Sequence, residues 1–163
     1  MNYITTGNIR EKEFEQLDKI LSDSIDKEVI KDLDYWLNIV KKESRALASS
    51  LKRCFDNARK SMRYVLVFNL GKQDRMRNEE CGMRNDEELE KYLEEYLKDY
   101  FEKNDFMHYR EFVRLLRACT IDLGGEVSSH IKEMYNNFFL GKRLIKAYKL
   151  GREDYLLSLR GAP

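Results

Sequence analysis

Proline is nearly missing from this sequence. One in 163 residues, beside eight glycines, leaves few internal helix breakers. An excess of one charge is missing too: 30 Lys and Arg face 29 Asp and Glu, for a net +1. That removes the simplest case for a nucleic-acid binder, which is a strongly basic domain. No apolar run approaches the ~20 residues that span a bilayer, and the opening MNYITTGNIREKEF carries no signal-peptide core, so no membrane partner is expected. Cys54, Cys81 and Cys119 are an odd set without metal-ligand spacing, which suits a reducing compartment, the cytosol or nucleus.

Catalytic signatures are equally scarce. There is no Gly-rich phosphate loop, no GxSxG elbow and no HExxH pair. His108 and His130 have no ligand partners at metal spacing. Cys119 falls at a half-buried apolar position, and Glu87, Glu88, Glu94 and Glu95 read as a solvated helix face rather than an acid–base pair. The expectation is a protein without catalytic residues, metal or cofactor.

What is present is amphipathic periodicity. Charged residues make up 36% and aromatics 12%, the composition of a folded, helix-rich chain. The strongest stretch is LASSLKRCFDNARKSMRYVLVFNL, 47–70. Leu47, Leu51, Cys54, Phe55, Ala58, Met62, Val65 and Leu66 recur at steps of three and four and predict one long helix, the spine, stopped by Gly71. Its end, Tyr64 to Phe68, is apolar on every side. Earlier helices are predicted over 11–25, with Thr6 or Asn8 as cap, and over 26–42, where Asp26 caps and Trp36 anchors the core. Leu51, Phe55 and Met62 are expected to pack on Trp36 and Leu93.

Residues 71–85 read as a polar loop. Asn85 with Glu88 matches a capping-box spacing and opens a helix to about Phe101. Its stripe of Leu89, Tyr92, Leu93, Tyr96, Leu97 and Tyr100 is rich in tyrosine, which suits a seam against another protein as well as a core. Beyond Asp105 the period changes. Val113, Leu115, Cys119, Ile121 and Leu123 alternate, which predicts strands joined by a Gly124-Gly125 hairpin turn. Phe112, Leu115, Leu116 and Cys119 support a competing helical register. EVSSHI reads as a weaker strand, Asn136-Asn137 as a turn, Phe138–Leu150 as a short helix stopped at Gly151, and Tyr155–Leu159 as a last strand. The expected fold is mainly α, a helical bundle over 1–104 followed by a small C-terminal β-containing domain over 109–163.

Taken whole, this arrangement resembles a GINS subunit of the Sld-five type or the related Psf-one type. MRYVLVFNLGKQDRM (62–76), with RYVL closest, resembles the family's long helix. Glu87-Glu88-Leu89 and KDYF (98–101) resemble the start and end of the next helix. FVRLLRACTIDLGGEV and NNFFLGKRLIKAYKLG are similar to the family's β domain. The resemblance implies a nuclear, non-catalytic scaffold in DNA replication. Its partners would be three other GINS subunits, the MCM helicase and the Cdc-forty-five protein, with DNA met only indirectly. Partner contacts are expected at Tyr64, Phe68, Tyr92, Tyr96 and Tyr100, where large amphipathic rings make good anchors. Two alternatives stand beside it. One is an unrelated regulatory or viral helical adaptor. The other is a weak nucleic-acid binder using Lys52, Arg53, Arg59, Lys60 and Arg63.

Overall fold

The computed structural model describes residues 12, 14–77 and 85–161. Among these residues every regular element is helical and there is no strand. In chain order they are α1 (14–21), α2 (Lys27–Glu43), α3 (Arg45–Arg59), α4 (Arg63–Met76), α5 (Asp86–Tyr96), the single turn α6 (Lys98–Tyr100), α7 (Phe106–Leu123), α8 (Gly125–Met134) and α9 (Arg143–Gly161). Wider π turns at Ser22–Asp26, Phe101–Asp105 and Tyr135–Lys142 lead into α2, α7 and α9. No helix among the described residues is long and apolar enough to cross a membrane. Thr6, Asn8 and Cys81 lie outside them.

Contacts gather the chain into two compact units, neither a continuous stretch. The first is drawn from 1–24, 62–97 and 142–163, the second from 25–61 and 98–141.

The second unit contains α2, α3, α7 and α8 around an apolar core. Ser44 joins the first two helices. Its extended backbone ends α2, and its hydroxyl accepts from the Leu47 amide at 3.1 Å to begin α3. Leu33, Leu37 and Val40 of α2 and Leu47, Leu51 and Phe55 of α3 face inward, as their spacing predicts. Phe55 sits edge-on to Phe112, Tyr135 and Phe139, with ring centroids 5.8, 5.3 and 5.0 Å away.

Here the expected C-terminal β domain is overturned. The helical register wins: Phe112, Leu115, Leu116 and Cys119 are the buried residues of α7. Ile121, which a strand would place on the same side as Cys119, is 83% exposed while Cys119 is fully buried. Gly124 does make a turn, with φ +94°, a conformation glycine reaches without strain. The turn joins two helices, and the Thr120 and Ser128 hydroxyls meet at 2.8 Å across it. EVSSHI forms most of α8, burying Val127 and Ile131 four residues apart. Residues 155–159 continue α9, and 105–108, between the two expected domains, are helical.

The first unit contains α1, α4, α5 and α9, and it corrects the spine. The 47–70 helix is two helices, broken over Lys60–Met62. Ser61 is buried there and its hydroxyl reaches both Asp105 carboxylate oxygens, at 2.9 and 3.0 Å. A serine whose side chain has a fixed partner elsewhere is a poor helix-interior residue, so the ladder stops at it. Glycine, in turn, does not stop α4 or α9. A Cβ on Gly71 would fall 2.2 Å from the Tyr148 carbonyl oxygen, and one on Gly151 would fall 1.9 Å from that of Phe68. Both glycines let two backbones touch, which puts them inside helices rather than at their ends. Residues 71–76 of the expected loop therefore belong to α4, and 78–84 lie outside the described residues.

Candidate interaction surface

The five residues expected to meet partners are dispersed. Tyr64 is 1% exposed and belongs to the interior of the first unit, beneath the Arg143 guanidinium 4.5 Å from its ring. Tyr92 is half-buried and donates its hydroxyl to Asp74 at 2.7 Å, beside Tyr148, which donates to the same oxygen at 2.8 Å. Phe68 and Tyr100 are half-buried; Tyr96, 46% exposed, is the one that presents most of its ring. Most of the all-round apolar end of the spine is accounted for within the fold: Tyr64, Val65 and Val67 are buried, and Leu66 and Phe68 half-buried. The alternative basic set divides too. Arg63 is buried, and Arg59 lies 3.7 Å from the buried Asp26, whereas Lys52, Arg53 and Lys60 remain exposed.

An outward face that the expectations missed lies on α7. Met107, Arg110, Arg114, Arg117 and Ile121 follow at steps of three, four, three and four, which aligns them on one side of a helix. Met107 is 68% exposed and Ile121 83%, the two highest values among the exposed large apolar side chains of the described residues. All three arginines between them are exposed. Arg114 holds Glu111 through two hydrogen bonds, 3.0 and 2.5 Å, and this guanidinium keeps the Glu111 carboxyl below its usual range. Among the described residues neither Arg110 nor Arg117 has an ion-pair partner.

The start of α7 explains the aim of this face. The π turn Phe101–Asp105 adds an i→i+5 loop, and Asp105 is drawn inward to Ser61. Phe101 then meets Phe106 and Tyr109 edge-on, at 6.2 and 5.8 Å, while Phe106 stays 45% exposed. With Phe112, Leu115, Leu116 and Cys119 turned inward, the arginine row is left to solvent. The spacing is present in the sequence, where an overlapping alternation reads Val113 and Ile121 as strand residues.

Other chemistry-bearing groups are engaged internally. Trp36 lies at the core's edge, stacked on His130 at 4.1 Å and 13°. Burial pushes the Cys54 thiol up to about 11 and raises Cys119 as well, which makes both poor thiolates. Gln16, Leu17, Ile20, Phe68, Lys72 and Asp154 line a cleft of about 340 Å³ in the first unit, where Lys72 is paired with Asp154 at 3.2 Å. No group of His, Cys, Asp and Glu among the described residues is placed to hold a metal ion. Compared with protein-family models, curated proteins and solved structures, the chain matches none of them.

Proposed function

We propose that this protein is a helical protein-interaction module whose contact surface is the outer face of α7. The observation that carries the proposal is the placement of Met107 and Ile121, 68% and 83% exposed, at the two ends of one arginine row. Large apolar side chains held in water have a favourable place to go when a partner covers them, and arginine suits interface cores because it combines a planar fork with an apolar stem. The replication-scaffold form of this idea drew on a C-terminal β domain. With α7, α8 and α9 in its place, the proposal keeps the adaptor and leaves the assembly unnamed.

The test is affinity capture from the native cell extract with the wild-type chain and a Met107→Glu/Ile121→Glu variant. Both substitutions are on exposed positions, so thermal unfolding should change by no more than about 0.5 kcal/mol. The proposal expects the variant to lose proteins the wild type holds in stoichiometric amount. Identical captured sets would overturn it.

A further inference from the structure

The partner that best fits the α7 row can be sought in the chain's own charge distribution. With 30 basic and 29 acidic residues, local rows of one sign must be balanced elsewhere. On α7 the row reads Arg110, Arg114, Arg117. On α5 an opposite row reads Glu87, Glu90, Glu94, with Glu87 and Glu94 exposed and Glu90 half-buried. Each row runs seven residue steps, or about 10.5 Å of helix.

The spacing matches as well as the sign. From Glu87 the acidic row steps by three and then four. From Arg117 backwards, the basic row steps by three and then four. Laid antiparallel, the two helices would pair Glu87 with Arg117, Glu90 with Arg114 and Glu94 with Arg110 in register. In that orientation Lys91 and Glu111, the residue of opposite sign beside each row, fall on the same flank and can pair with each other. We propose that α5 of a second copy of this chain docks antiparallel on the α7 row. This rests on α7 being the contact face.

Two further observations favour this occupant. Burial and the neighbouring Glu94 and Glu87 raise the Glu90 carboxyl, so the acidic row is crowded and gains from opposite charge. Glu111, held on Arg114 inside the basic row, would repel the phosphates of a nucleic acid but offers Lys91 a partner. The contact is made of ion pairs at the surface, so it should be weak and sensitive to salt.

The experiment is sedimentation equilibrium of the full chain over a concentration series. Salt is set at about 0.1 M, where charges reach about 10 Å, and at about 1 M, where they reach about 3 Å. Wild type should rise from the 19.5 kDa protomer towards at least twice that mass at low salt and stay a protomer at high salt. Arg110→Glu/Arg117→Glu and Glu87→Lys/Glu94→Lys should each remain protomers, with unchanged circular dichroism. Mixed in equal amounts, they should associate again, because each supplies the row that the other has reversed. A wild type that stays a protomer at low salt overturns the proposal, and so does a mixture that does not recover. Loss of labelled single-stranded RNA binding in the arginine variant, with self-association unchanged, would assign the row to nucleic acid and overturn it too. If self-association fails while the Met107→Glu/Ile121→Glu variant still loses partners from extract, α7 stands as the surface and only the second copy is wrong.

Discussion

The two units bring their helices together in different ways. In the second, Phe55, Phe112, Tyr135 and Phe139 interlock as rings within a cluster of aliphatic side chains. In the first, helices α4 and α9 touch through Gly71 and Gly151, and Asp74 and Arg143 are buried, as Asp26 and Asp105 are in the second. Asp74 is 2% exposed and receives two tyrosine hydroxyls. Arg143 is fully buried, 2.6 Å from Asp18 and over the face of Tyr64. A ring cluster gains by burying area and tolerates modest repacking. A backbone crossing and a buried carboxylate depend on specific partners, and losing one leaves a group unsatisfied or a clash unrelieved. The contrast teaches where each unit is fragile: by volume at the ring cluster of the second, by backbone geometry at the glycine crossing of the first.

Removing volume should have the largest effect. Phe55→Ala empties the centre of the ring cluster and is expected to destabilise by about 3–5 kcal/mol. Denaturant unfolding checks this, and a loss under about 1 kcal/mol would mean the cluster is not the core of its unit. Next comes a pair of identical substitutions in the two units. Gly151→Ala drives a methyl into the Phe68 carbonyl and should cost about 1–3 kcal/mol, whereas Gly125→Ala, with nothing within 4 Å, should be neutral or gain up to about 1 kcal/mol. Equal effects at the two sites would remove the distinction between the units.

A subtler contrast lies in alkaline solution. Burial and the hydrogen bond to Asp74 raise the Tyr148 phenol well above its ordinary range. In the unfolded chain it ionises at about pH 10. Above that pH the unfolded state holds fewer protons than the folded one, so stability falls as pH rises. Below it the contribution is fully present. Thermal unfolding between about pH 9 and 12 should show a steeper decline for wild type than for Tyr148→Phe. Parallel curves would mean that Tyr148 is not held protonated.

How much was legible beforehand follows the same division. The aliphatic stripes of α2 and α3 were readable because apolar side chains at steps of three and four have one good place to go. Asn85 was readable because its cap is local: its side-chain oxygen accepts from the Glu88 amide at 2.8 Å. The break at Ser61 was not, since its cause, Asp105, lies 44 residues away. Gly71 and Gly151 looked like helix stops because a sequence shows a missing side chain but not the helix that fills the space. On α7 two periods overlapped, and exposure of Ile121 decided between them. Tyr64 and Tyr92 were expected at a partner surface because their rings exceed what an apolar stripe needs; Arg143 and Asp74 are what they meet instead.

Methionine oxidation reads the outer face of α7, the proposed contact surface, directly. Met107 on α7 and Met76 at the end of α4 are 68% and 58% exposed, so brief peroxide treatment of the dilute purified chain should oxidise both at similar rates. In native extract, quantified by peptide mass spectrometry, Met107 oxidation should slow several-fold relative to Met76. Equal rates in extract and in dilute solution would contradict a role for α7 as the contact surface.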